Sequence, residues 1–282
     1  MEIKRFFTQD CLKGYVEWLY KEEKSAATIA KYQHDVMQFW DFLGKATVQK
    51  EDVIRYKEWL IKHNYTPRSV NSMLAAVNSL FVYLGWEECK VKSMRLQRQV
   101  YCPESKELSK EEYLKLVRAA QSKGDERLGL LLQTLCSTGM RISELSSVTV
   151  EAVRAGETMV HCKGKSRRIF LVPALQDHLC QYIRENRIET GPVFISNRGN
   201  PMNRSNIWRE MKSLCAYAGV EPKKVTPHNL RHLFARSFYA VDKDIAKLAD
   251  VLGHSSIDTT RIYVMTTEKE HVECMEKLQL TL

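Results

Sequence analysis

The chain has 282 residues with 43 Lys or Arg against 34 Asp or Glu, a formal net charge of +9, and that length predicts two domains, not one core. Hydrophobic residues at 44% and charged residues at 27% fit a folded globular protein and exclude wholesale disorder. No apolar run reaches membrane-spanning length, no signal-peptide core opens the chain, and the eight cysteines are scattered without a Cys-x-x-Cys pair. A secreted, membrane or zinc-ribbon protein is therefore excluded, and free thiols in the cytoplasm are expected.

Residues 1–94 predict a small helical bundle. Leu12, Tyr15, Val16, Leu19 and Tyr20 recur at helical spacing, as do Ile29, Tyr32, Val36, Phe39 and Leu43 before Gly44. A third helix carries Val53, Tyr56, Leu60 and Ile61. A fourth opens at Thr66-Pro67, carries Val70, Leu74, Val77, Leu80, Phe81 and Leu84, and ends at Gly85. From Lys90 to Lys106 the periodicity fails while Lys90, Lys92, Arg95, Arg98 and Lys106 alternate with isolated apolar residues. Residues 95–107 are assigned as a basic linker able to follow a phosphate backbone.

The second domain, 108–282, starts with a capping box, Ser109-x-x-Glu112, ahead of Tyr113, Leu116 and Val117. Leu128 to Cys136 is almost continuously apolar and predicts a buried helix stopped by Ser137-Thr138-Gly139. The period then changes. Met159–Cys162 and Arg168–Val172 predict a hairpin around Lys163-Gly164-Lys165-Ser166, and helices return after Pro173. The expected fold is mainly α (α+β), a helical bundle plus a mostly helical domain with a small antiparallel sheet. Charge is shared between the parts: residues 1–106 carry 17 basic and 13 acidic side chains, and residues 107–282 carry 26 and 21. Such a spread suits one long polyanion touching both domains.

Three segments could carry chemistry. Thr226-Pro227 starts a helix whose first turn places His228 and Arg231 on one face, near free backbone amides that favour an anion. The metalloprotease pattern fails here because Asn229 stands where the general base would be, so no metal is assigned. Gly139 allows a tight turn before Arg141, and Glu144 three residues on can hold that guanidinium in one orientation. A helix ends at Gly253, His254 follows in the turn, and Tyr263 lies nine residues later beside a short helix capped near Asp258/Thr259.

Taken in order, Arg141, Lys163, His228-x-x-Arg231, His254 and Tyr263, set in Leu-Gly-His and Thr-Thr-x-x-Tyr contexts, resemble the tyrosine recombinase (phage integrase-type) family, especially its compact Xer-like members. The resemblance covers about Leu108 to Met265, and the N-terminal bundle matches the family's core-binding domain in size and type. It implies a C-shaped clamp on DNA and a site-specific recombinase needing no cofactor. Tyr263 would be the nucleophile that forms a 3′-phosphotyrosyl link, Arg141 and Arg231 the clamp on the scissile phosphate, and His254 a donor to the same oxygens. His228 would assist proton transfer or orient the phosphate, and Lys163 would protonate the leaving oxygen, with Lys165 open as its alternative. Glu144 would steady the site from behind. Lys92, Arg95, Arg98, Lys165 and Arg167 are expected to touch DNA. The implied partners are specific double-stranded sites, three further protomers and accessory DNA-bending proteins, and the implied location is the cytoplasm, on the nucleoid. The tail from Thr266 to Leu282 offers an apolar face of Val272, Met275, Leu278 and Leu280 for docking on a neighbouring protomer or for packing on its own domain. A type IB topoisomerase and a catalytically idle DNA-binding protein of the same fold are the rival readings.

Overall fold

Thr8, Ser25 and Thr66 each turn a side-chain oxygen onto a free amide of the following helix, and these caps fix where the helices of the first unit begin. The structure is a computed structural model that describes residues 5–44, 47–96, 107–162, 165–196, 199–264, 272 and 275–279. It divides into two units, Met1–Arg98 and Gln99–Leu282. The first contains α1 (Gln9–Lys21), α2 (Ala26–Leu43), α3 (Lys50–Lys62) and α4 (Pro67–Tyr83), with β1 (Arg5–Phe6) and β2 (Thr47–Val48) as a minimal antiparallel pair. Their inward faces bury Tyr15, Leu19, Phe39, Tyr56, Leu60, Leu74 and Phe81. The chain after α4 is less free than a linker reading of residues 90–94 implies. Asn78 brackets Val91 through its backbone N–H and C=O, and Asn71 does the same for Met94, with bonds of 2.7–3.1 Å. Two amide side chains thus satisfy a backbone stretch that has no ladder of its own.

The second unit contains α5 (Lys110–Ser122), α6 (Glu126–Thr138), a 3-10 turn (Ile142–Ser147), α7 (Val150–Ala155), β3 (Glu157–Cys162), β4 (Lys165–Phe170), α8 (Pro173–Glu185), α9 (Arg204–Ala218), α10 (Pro227–Val241), α11 (Ile245–Leu252) and α12 (Ile257–Arg261). The Ser109/Glu112 capping box forms reciprocally at 2.9 and 3.1 Å. Helix α6 is its centre. Leu128, Leu130, Leu131, Leu132 and Leu135 are all buried, and α5, α8 and α10 pack around them. Each such Leu contributes about 1.5–3 kcal/mol on burial, so the end of α6 is a rigid point of attachment. β3 and β4 pair antiparallel from Glu157↔Phe170 to Cys162↔Lys165. That register makes residues 163–164 the hairpin's connection. No helix among the described residues is long and apolar enough to cross a membrane.

Candidate active site

Helix α6 ends at Gly139, whose φ of +61° is the left-handed conformation that glycine adopts without strain. A Cβ there would also overlap the Phe234 ring, so the turn that delivers Arg141 admits no larger residue. Arg141 caps the 3-10 turn. Its amide donates to Glu144 Oε2 at 2.8 Å and its guanidinium to Oε1 at 2.9 Å. Glu144 is buried and also accepts from Arg167 Nη2 at 2.6 Å. Burial pushes the Glu144 carboxyl up, but the Arg141 amide and the charges of Arg167 and Arg141 outweigh it, and the group stays ionised below the usual carboxylate range. Arg167, expected to face a phosphate backbone, is instead turned inward: its side chain is only 13% exposed and its Nη1 donates to the Val251 carbonyl at 2.7 Å. The physical reason is the buried carboxylate, which requires a cation that a strand residue next to it can supply.

Arg231, in the first turns of α10, is 3% exposed. Its guanidinium donates to the carbonyls of Gly139 (2.7 Å) and Leu252 (2.8 Å) and to His254 Nε2 (2.9 Å), tying the ends of α6 and α11 together. Its Nε has no hydrogen-bond partner among the described residues. Burial, and then the neighbouring Arg141 charge, lower its pKa to about 10, against a favourable contribution from Tyr263. An arginine only donates, so His254 Nε2 must accept, and its Nδ1–H points to Thr260 Oγ1 at 2.9 Å. Burial first, then Arg231, Arg141 and Arg167, hold His254 down at about 4, so it is neutral at pH 7.

Gly253 precedes His254 with φ +66°, and the Arg167 side chain lies where a Cβ would stand. The Leu-Gly-His sequence is thereby accounted for: Leu252 fills the core, Gly253 admits Arg167, and His254 turns back. Helix α12 is capped by Ser256, not by the Asp258/Thr259 region expected from sequence, because Ser256 Oγ reaches the Asp258 amide at 3.2 Å. Its Thr260, fully buried, is the hydroxyl that holds His254, and Tyr263 follows three residues later. Tyr263 is 8% exposed, with ring centroids of His232, His254 and His228 at 4.3, 5.3 and 5.5 Å and the Arg231 carbon 5.9 Å over its face.

Of the residues singled out in sequence, Arg141, Glu144, Arg231, His228, His254 and Tyr263 meet in this one place. Lys163 and Arg98 lie outside the described residues, as does the Lys165 side chain. Lys92 and Arg95 are exposed in the other unit. Sequence reading missed the inward role of Arg167, the hydroxyl of Thr260, and the pair Glu107 and His232 beside His228. Thr260 was visible within Thr-Thr-x-x-Tyr; the others carried no local signal. Among the described residues no three His, Cys, Asp or Glu side chains are grouped to hold a metal ion. The three guanidinium groups and one carboxylate leave an excess of positive charge that would receive an oxyanion.

Comparison with known proteins identifies the family to which this fold and chain belong. The model of the phage integrase family matches residues 106–270, and that of the phage integrase N-terminal SAM-like domain matches residues 12–88. Tyrosine recombinase XerD of Vibrio cholerae is 30% identical over 269 residues, covering 86% of this chain and 87% of that protein. Tyrosine recombinase XerA of Pyrococcus furiosus is 30% identical over 281 residues, covering 96% and 94%. A lambda integrase dimer bound to a COC′ core site shares the fold with a TM-score of 0.74 at 16% identity, covering 93% of this chain and 95% of that one.

Proposed function

The chain belongs to the phage integrase family of tyrosine recombinases, and from that premise we propose how its residues cut and rejoin DNA. It is a site-specific DNA recombinase, and in the proposed reading it breaks and religates strands through a 3′-phosphotyrosyl intermediate and a Holliday junction. One observation supports the residue roles most strongly. Arg141 and Arg167 share the single carboxylate of Glu144, Arg231 lies within the field of both cations, and a buried Arg231 N–H faces no acceptor among the described residues. A phosphodiester supplies the missing negative charge, and the charge building on its oxygens during attack is where fixed donors act best.

In this reading Tyr263 Oη attacks phosphorus, Arg141 and Arg231 stabilise the nonbridging oxygens, and His254 joins them once its Nε2 carries a proton. His228 takes the tyrosine proton. Lys163, at the hairpin connection, protonates the leaving 5′-oxygen, with Lys165 the alternative. Glu144 and Arg167 hold the Arg141 guanidinium in place. Lys92, Arg95 and Arg98 contact the DNA backbone in the manner expected of a basic connector. Two duplexes need four such sites, so the protein works as a tetramer on DNA, with the C-terminal segment, where Val272, Met275 and Leu278 are exposed, docking on a neighbouring protomer.

The test is a suicide duplex that traps the covalent adduct. Tyr263→Phe is expected to fold and bind DNA but to yield no adduct; an adduct in that variant overturns the assignment. Sulfur in place of the bridging 5′-oxygen needs no proton to leave, so this substrate is expected to rescue Lys163→Ala and not Tyr263→Phe. Rescue of Lys165→Ala, with Lys163→Ala normal on ordinary DNA, transfers the role to Lys165.

A further inference from the structure

His232 lies one turn beyond His228 on α10 and is 7% exposed, with its Nε2 3.0 Å from His228 Nε2. Two imidazole nitrogens bond only if one of them carries the hydrogen. The other nitrogen of His232, Nδ1, faces Glu107 Oε1 at 3.5 Å, and the second oxygen of that carboxylate faces Arg236 at 3.5 Å. A carboxylate oxygen draws a hydrogen toward it and repels a lone pair, so the geometry places the His232 hydrogen on Nδ1. Burial, partly offset by Glu107, draws the His232 pKa down to about 4, so the ring is neutral at pH 7 and its Nε2 holds a lone pair. The hydrogen in the His–His bond therefore belongs to His228 Nε2. His228 is left with a bare Nδ1, which has no hydrogen-bond partner among the described residues.

We propose that Glu107 and His232 are positioning residues that fix His228 in its Nε2–H tautomer and pass on the proton it receives from Tyr263. This rests on the reading of Tyr263 as nucleophile and His228 as its proton acceptor. As Tyr263 Oη forms its bond to phosphorus, its proton moves to His228 Nδ1. The bond from phosphorus to the 5′-oxygen breaks, and that oxygen takes a separate proton from the acid. His228 Nε2 then releases its hydrogen to His232 Nε2, and the positive charge arrives beside the Glu107 carboxylate. Nothing is left charged and unpaired in the buried chain. On religation the same protons return by the same route. His232 has the ring nearest to Tyr263, 4.3 Å between centroids, so the relay and the nucleophile are packed as one cluster.

Among the described residues, the charged and titratable groups around this chain come from each neighbouring element: Arg231 and Arg236 on α10, His254 and Tyr263 from the α12 side, and Glu107 ahead of α5. Arg231 pushes the His228 pKa down, after burial, and Glu107 pushes it up. Removing the Glu107 charge consequently leaves a weaker base.

The experiment uses the full-length protein and two readouts. In nitrogen–proton correlation spectra of histidine-labelled protein, His228 is expected as the Nε2–H tautomer, and His232→Phe is expected to release that preference. In single-turnover trapping on the suicide duplex, Glu107→Gln is expected to slow adduct formation about tenfold or more and to move the acid limb of the rate profile to lower pH. DNA affinity stays unchanged, and Glu107→Asp, which keeps the charge, recovers most of the rate. A merely structural Glu107 would lower the rate without moving the limb. An Nδ1–H tautomer at His228, or a Glu107→Gln limb coincident with the unsubstituted protein, overturns the proposal. Should Glu107→Gln not fold, the tautomer in the unsubstituted protein decides. An adduct surviving in Tyr263→Phe would instead overturn the reading beneath it.

Discussion

The two arginines expected to act alike on phosphate are built differently. The Arg141 side chain is 33% exposed and, among the described residues, is held only by Glu144, which keeps Arg167 as a second cation. Arg141→Ala is therefore expected to leave the melting temperature and DNA affinity almost unchanged while cleavage falls ~100-fold or more, the scale of losing one oriented donor. Arg231 also joins three chain segments. Arg231→Ala strands the carbonyls of Gly139 and Leu252 and should cost about 3 kcal/mol or more of stability besides cleavage, read by urea unfolding. Equal stability losses in the two variants would refute this division. The candidate residues themselves were legible in the sequence because each sits in a distinctive local context. Their partners were not. Arg236 reaches Glu107 across 129 residues, and neither position shows anything unusual along the chain.

Among the elements, the turn between α11 and α12 is the most constrained. Gly253→Ala must adopt a left-handed backbone and displace the Arg167 side chain, which would loosen Glu144 and, through it, Arg141. The expected outcome is a loss of stability of about 1 kcal/mol or more from the backbone alone. It is joined by a fall in single-turnover cleavage that Gly219→Ala, at a similar φ in open space, does not share. Helix ends were readable where a cap and a glycine bracket the periodic run, as in α4, and in α6 only at its glycine end. The pair β1–β2 was not, because two residues per strand offer no alternation to detect. The Ser256 cap was hidden by two better-placed competitors, Asp258 and Thr259. Only the path of the chain after His254 chooses among them.

For the molecule as a whole, affinity for DNA is expected to be spread over both units, since each carries an excess of basic residues. It should fall roughly a thousandfold or more between 50 and 200 mM salt if about six phosphates are neutralised, measured by titration at several salt concentrations. A flat dependence would refute this. Replacing Arg95 and Arg98 together by Ala should weaken binding without changing the preferred sequence. The two-part organisation showed in the sequence as a break in hydrophobic periodicity. The pinning of Val91 and Met94 by Asn78 and Asn71 did not, because an asparagine inside a helix gives no sign of what its amide reaches.

The bond from Arg231 to His254 has a thermodynamic consequence. The imidazole is kept unprotonated by burial and by three arginine charges, at about 4. A bound phosphate cancels part of that charge, so the His254 pKa rises toward its ordinary value and the complex takes up a proton between the two. Affinity must then strengthen as pH falls through that interval, the direction linkage requires for a group whose pKa is higher in the bound state. Calorimetry of Tyr263→Phe with its DNA site, in two buffers of different ionisation heat at about pH 6, would count that proton directly. Identical heats in both buffers would show that DNA arrives without it.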